Sequence, residues 1–261
     1  MKILFIGDIV GSPGRQMVAD HLADILAQEP ADVVIANGEN AAAGFGITPR
    51  LVEELLNQHI DVLTSGNHIW DRKGLLDYIS GAPRLLRPAN FPAGSPGRGS
   101  FTGAAANGER YAVLNLQGRV FMGSSDDPFR AADRELAALD AGVKAIVVDF
   151  HAETTSEKQA MGWYLDGRVS AVIGTHTHVA TADERILPAG TAYISDVGMT
   201  GPHDGVIGME RTAVLHRFLD GLPARFEVAE GNAQMNCVWL EVDAATGRAI
   251  SIERRCYRGD S

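Results

Sequence analysis

Cysteine is nearly absent: the chain has two, Cys237 and Cys256, in no CxxC spacing. That excludes a disulfide-built miniature domain and a cysteine-ligated zinc module. Both fall in what read as C-terminal strands. A bridge between them is geometrically conceivable, but the expected state is two reduced, buried thiols. Positive charge is also scarce, with 23 Lys and Arg against 33 Asp and Glu and a net charge of -10. An acidic surface disfavours nucleic acid and anionic lipid as partners, and no basic stripe interrupts it. Attraction for a phosphate ester must therefore be local, from bound metal or a few arginines. Long apolar runs are missing too. The N-terminal MKILFIGDIV is too short for a membrane span and lacks a small-residue cleavage site, so it reads as a core strand. No other segment reaches membrane length, and the expected compartment is the cytoplasm. There is no repeat, linker, low-complexity tract or heptad seam. The chain reads as one domain, 1–261, with no marked surface for self-association.

What is present is ordinary globular material, 45% hydrophobic and 21% charged, enough to bury a sizeable core. Strand–helix units fill most of it. Short apolar runs at 2–7, 32–36, 61–64, 144–150 and 169–173 read as strands covered on both faces. Ser12-Pro13, Thr48-Pro49 and Asp126-Asp127-Pro128 read as helix starts, a cap followed by proline. Residues 154–166 read as a helix ended by Gly167. Asn107-Gly108 marks a hairpin between 99–105 and 110–116, and 211–219, 234–242 and 248–257 read as antiparallel strands. Strand–helix units followed by strands predict an α/β fold: two mixed β-sheets packed as a sandwich, flanked by helices.

The polar residues of interest share one position. Asp8, Glu39-Asn40, Asn67-His68, His151 and His176/His178 each follow a predicted strand. The crevice beyond the carboxyl ends of strands is where ligands bind in α/β sheets. Each has an ordinary reading alone: Gly7-Asp8 as a turn, Glu39-Asn40 as a solvated loop, His151 as a structural histidine. Two histidines at i and i+2 would diverge in an extended strand. In a tight loop they can reach two adjacent metals. Together the residues point to one converging metal site.

In this order, Asp8, the Glu39 loop, Gly66-Asn67-His68, His151 and Gly174-Thr175-His176-Thr177-His178 resemble the motifs of the calcineurin-like metallophosphoesterases, across nearly the whole chain. Two departures narrow the resemblance. Val10 stands where that family has a histidine, and Glu39-Asn40 replaces its second aspartate. The variant is similar to the YmdB-like branch of bacterial phosphodiesterases, as are Gly7–Gly11 and Ile194–Pro202. The resemblance implies a four-layer fold and two metal ions, iron or manganese, with zinc also compatible. It implies that Glu39 bridges them, that Asp8, Asn40 and His178 complete one site, and that Asn67, His151 and His176 complete the other. It further implies hydrolysis of small phosphodiesters, cyclic nucleotides first among them. A hydroxide held between the metals would attack phosphorus in line, and His68 would protonate the leaving oxygen. The same donors suit a phosphomonoesterase or protein phosphatase, and a third reading is a nucleotide-sensing regulatory protein.

The remaining polar residues are weaker candidates. His203-Asp204 reads either as a substrate contact or as a solvated turn. His21 and His59 read as ordinary helix residues, His216 as structural within a strand, and Asp71-Arg72 as a helix start.

Overall fold

The strand–helix units follow one another in the expected order. The computed structural model describes residues 1–259. It begins β1 (Lys2–Ile6), β2 (Asp8–Ile9), α1 (Gly11–Gln28), β3 (Val33–Asn37), α2 (Pro49–Leu56), β4 (Val62–Thr64) and α3 (Leu75–Tyr78). There follow β5 (Ser100–Ala104), β6 (Arg110–Gln117), α4 (Pro128–Ala138), β7 (Ala145–His151), α5 (Thr155–Leu165) and β8 (Ala171–Thr175). The chain ends with β9 (Arg185–Ile186), β10 (Ala192–Ile194), β11 (Met199–Pro202), α6 (Arg211–Asp220), β12 (Ala233–Val242) and β13 (Ala249–Arg258).

Side-chain alternation sets the layering. In β1, Ile3 and Phe5 face one way and Leu4 and Ile6 the other, and all four are buried. Ile3 and Phe5 join Val33, Ile35, Val62, Val238 and Leu240 against Val113, Val147, Ile173 and Ile194 of the opposite sheet. Leu4 and Ile6 pack on Met17, Val18 and Leu22 of α1 and Leu51, Val52 and Leu55 of α2. The far sheet covers its outer face with Ala131 and Ala132 of α4 and Met161 and Leu165 of α5. Each fully buried large aliphatic or aromatic side chain in these layers contributes roughly 1.5–3 kcal/mol. The result is the expected α/β sandwich: helix, sheet, sheet, helix.

Both sheets are mixed. The first runs β2-β11-β12-β1-β3-β4 with β13 on β12, and the second runs β5-β6-β7-β8-β10-β9. β1, β3 and β4 are mutually parallel, as are β6, β7 and β8. Polar residues singled out in the sequence follow β3, β4, β7 and β8 at their carboxyl ends. Thr48 caps α2 through the Leu51 N–H at 3.4 Å, and Asp127 caps α4 through the N–H groups of Phe129 and Arg130.

Several expectations are corrected. Residues 211–219 form helix α6, not a strand. Glu210 caps it by accepting from the N–H groups of Thr212 and Ala213, and Gly221 ends it at φ 70°. Only Val214 of that helix is buried, so its apolar residues mimic a strand without lining a core. His216 therefore sits on an exposed helix face, 3.0 Å from Asp220. His59 lies beyond the end of α2 in a left-handed turn at φ 64°. Helix α1 starts at Gly11 with no side-chain cap, so Ser12 is inside its first turn. Asp71-Arg72 precedes α3 rather than opening it. Cys237 is buried but Cys256 is exposed, and both thiols are free. Cys256 pairs in register with Asn236, one residue from Cys237, so the two sulfurs lie on opposite faces. Among the described residues, no helix is long and apolar enough to cross a membrane.

Candidate metal centre

The predicted residues gather at one edge of the two sheets, and among the described residues Asp8, Glu39 and His151 are the group whose donor atoms converge, with His176, His178 and Asn67 outside it. Asp8 starts β2, Glu39 and Asn40 follow β3, and Asn67 and His68 follow β4, all from the first sheet. From the second sheet, His151 ends β7, and His176 and His178 follow β8. Asp8, Glu39 and His151 are fully buried, and one donor atom from each lies within 4.8 Å of the others. Glu39, Asn40, His68, His176 and His178 line a cleft of about 760 Å³ above them, walled by Phe45, Ile207, Met209 and Phe226.

Each donor is aimed by a second contact. Glu39 Oε2 lies 2.5 Å from His151 Nε2, and Glu39 Oε1 accepts the His68 N–H at 2.5 Å. His151 Nε2 also approaches Asn67 Oδ1 at 3.2 Å and His176 Nδ1 at 3.0 Å. His151 Nδ1 meets the Thr175 hydroxyl at 2.9 Å, and that hydroxyl donates to Asp149 at 2.6 Å. His178 Nδ1 donates to the Ile207 carbonyl at 2.9 Å, which leaves Nε2 with a free lone pair. Asn40 Nδ2 donates to the Gly44 carbonyl at 2.9 Å, so its Oδ1 is free to ligate. The His176 N–H donates to Asp8 Oδ2 at 3.3 Å, and His176 Nε2 lies 3.1 Å from Glu153.

The electrostatics are those of a site built for cations. Burial, reinforced by the carboxylates of Asp196, Glu39 and Asp149, holds the Asp8 carboxyl well above its ordinary range, against the opposing charge of His151. Burial alone would raise Glu39 as well, but the charge and hydrogen bond of His151, with the His68 N–H, bring it down to about 2. Burial alone would lower His151, but Glu39, Asp8 and Asp149 outweigh it and push the ring up to about 9. Burial and then the His151 charge lower His176 to about 3, and burial lowers His178 too, so both rings are held in the neutral form.

Two further observations fit metal ions to these residues. Asp8 Oδ1 and Asn40 Oδ1 are buried without a hydrogen-bond partner, a costly state that a cation relieves. Gly66 forms part of the cradle, since a Cβ there would overlap His151 and Glu39 Oε2. Nitrogen and oxygen donors together suit transition metals rather than calcium.

The other candidates separate cleanly. Val10, where the resembled family has a histidine, is buried against Met199, Met209 and Val214. His203 bonds locally, at the Gly201 carbonyl and Asn236, and does not line the cleft with Glu39. Asp71 holds His68 Nδ1 at 2.8 Å, a partnership that its reading as a helix start misses. Sequence reasoning misses Asp149 and Lys158, and it places Asp196 only within the resembling stretch Ile194–Pro202, without a role. All three are buried polar residues; Asp149 and Asp196 interrupt apolar segments, whereas Lys158 lies among Ser156, Glu157 and Gln159 and carries no such signal.

Comparison with known proteins identifies the family. The family described as YmdB-like protein matches residues 4–255. A Bacillus subtilis (strain 168) protein named 2',3'-cyclic-nucleotide 2'-phosphodiesterase is 53% identical over 260 residues, covering 100% of this chain and 98% of that protein. A crystal structure of a hypothetical protein from Thermus thermophilus superposes with a TM-score of 0.94 at 42% identity, covering all of both chains. A Mycoplasma pneumoniae structure described as a novel phosphatase gives 0.93 at 35% identity, over 99% of this chain and 93% of that one. With the family matched over almost the entire sequence, the chain belongs to the YmdB-like family.

Proposed function

We propose that this protein is a metal-dependent phosphodiesterase acting on small phosphodiesters, with 2',3'-cyclic nucleotides the leading substrate class. The observation that carries the reading is the group of Asp8, Glu39 and His151, buried and converging beneath an open cleft, with unpaired oxygens on Asp8 and Asn40. The substrate class rests on the name of the 53% identical Bacillus protein.

Glu39 would be shared between two ions. Asp8, Asn40 and His178 would complete one set of ligands, and Asn67, His151 and His176 the other. Iron or manganese suits these donors, and zinc is compatible. Such ions, when bound, polarise phosphoryl oxygens and lower the pKa of water toward neutrality.

The chain's own residues supply orientation and proton transfer. His68 lines the cleft, with its Nδ1 held by Asp71 at 2.8 Å and its ring edge-on to Phe45 at 5.1 Å between centroids. That arrangement fixes the ring and leaves Nε2 to exchange a proton. His68 is thus the general acid for the leaving alkoxide. The apolar wall of Phe45, Ile207, Met209 and Phe226 excludes water from one side of the cleft and offers a surface to an organic leaving group.

The test is hydrolysis of a bis-aryl phosphodiester and of 2',3'-cyclic AMP, after chelation and after adding back manganese or ferrous iron. Turnover of both, abolished by chelator and restored by metal, supports the reading. Turnover of aryl monoesters alone moves the function to a phosphomonoesterase. Tight cyclic nucleotide binding without turnover moves it to a sensor.

A further inference from the structure

We infer that Asp196, anchored by the buried Lys158, is the positioning residue that holds the His176–His178 loop in ligating geometry, an inference that rests on the metal-site reading above. The loop needs holding. His176 and His178 both have left-handed backbones, at φ 97° and 65°, a conformation uncommon for non-glycine residues and costly unless the surroundings hold it. Thr177 lies between them, and Asp196 grips it twice. Asp196 Oδ2 accepts the Thr177 N–H at 3.1 Å and the Thr177 hydroxyl at 2.7 Å. The same oxygen receives Lys158 Nζ at 2.7 Å, and Oδ1 accepts the Gly198 N–H at 2.8 Å. Both oxygens of the carboxylate are engaged.

The arrangement is poorly explained as a device for stability alone. Lys158 and Asp196 are both almost completely buried, and an apolar pair of similar volume there would often be neutral or more stabilising. A carboxylate offers what an apolar pair lacks: acceptors for two donors of one residue between two histidines. Lys158 reaches it from α5, which packs on the sheet that carries the loop, balancing its charge and fixing its orientation. The loop is clamped at its flanks as well. Val197 N–H donates to the Gly174 carbonyl at 2.9 Å and Met199 N–H to the His178 carbonyl at 3.2 Å. A Cβ at Gly174 would overlap the Ser195 carbonyl, so the two segments can lie this close only with glycine there.

The experiment is manganese titration of the metal-free full chain, reading free Mn(II) by electron paramagnetic resonance, in the wild type, Asp196→Asn, Thr177→Val and Thr177→Ser. Asp166→Asn serves as control. Asp166 accepts from the Ala189 N–H at the other end of α5, shares no contact with the loop, and reports general loosening. Asp196→Asn should weaken manganese binding about ten- to hundredfold, the range for residues that orient ligands. Thr177→Val should weaken it in the same direction, Thr177→Ser should restore it, and Asp166→Asn should leave it unchanged. Thr177→Val keeps the Lys158 pair, so it decides the matter if Asp196→Asn does not fold. Wild-type affinity in Thr177→Val, or equal losses in Thr177→Val and Thr177→Ser, overturns the role of Asp196. No manganese binding by the wild type overturns the metal reading itself.

Discussion

Replacing Glu39 by Gln keeps the shape of the side chain and removes its charge, and the consequences differ with and without metal. In the metal-free protein, Glu39 and His151 form a buried ion pair at 2.5 Å. The pair holds Glu39 at about 2 against an ordinary 4.5. At about 1.4 kcal/mol per pKa unit, that is roughly 3 kcal/mol of stability. The rise of His151 from 6.5 to about 9 is the same interaction viewed from the other partner and is not added to it. The sign fixes the pH window. The depressed Glu39 contributes above its unfolded value and loses that contribution as pH falls toward 2. The raised His151 contributes below its unfolded value and loses it as pH rises through 9. Both conditions are met between about pH 4.5 and 6.5. For a chain of this size, roughly 3 kcal/mol corresponds to about 6–12 °C in Tm. Scanning calorimetry in chelator at about pH 5.5, inside that window, should therefore place Glu39→Gln about that far below the wild type. Near about pH 10, where His151 has lost its proton, the gap should shrink sharply. With metal supplied, elemental analysis should find both ions lost together if, as proposed, one carboxylate serves both. An unchanged Tm gap at the two pH values would refute the ion-pair account, and full retention of one ion would refute the bridging role.

Two further outcomes test the same centre. His68→Ala should reduce cyclic diester turnover about 10²–10⁴-fold while leaving metal content intact, since His68 meets Glu39 through its backbone N–H and not its ring; loss of metal in that variant would place the ring among the ligands instead. Metal binding should expel the proton that His151 carries up to about pH 9. Calorimetric titrations near about pH 7.5 in buffers of different ionisation enthalpy should show proton release, and affinity should climb as pH rises; heats independent of buffer would count against it.

Much of this molecule can be read from its sequence, and the limits have physical causes. The donors are visible because they share one grammar: a short apolar strand fixes the direction of the chain, and the polar residue just past it must lie at the sheet's carboxyl edge. The capping pairs Thr48-Pro49 and Asp127-Pro128 are visible because capping is local chemistry. Helix α6 is not, because apolar residues such as Leu215, Phe218 and Leu219 are exposed and carry no burial pattern to reveal a period. Asp149 and Asp196 are not, because their partners lie far away in sequence: Asn37 is 112 residues from Asp149, and Lys158 is 38 from Asp196. Spacing along the chain says nothing about such contacts. Cys256 is misplaced for a related reason, since a one-residue difference in register decides which face of the hairpin it occupies.

The proposed ligands are divided between the two sheets, with Asp8, Glu39, Asn40 and Asn67 from one and His151, His176 and His178 from the other. Between the layers elsewhere there is mostly greasy contact, which resists separation but opposes sliding only weakly. Ions gripped from both sides would act as rivets through the laminate. On the proposed assignment, loading the centre would do more than equip a cleft: it would tie the two plates together at the edge where Asp8, Glu39 and His151 converge.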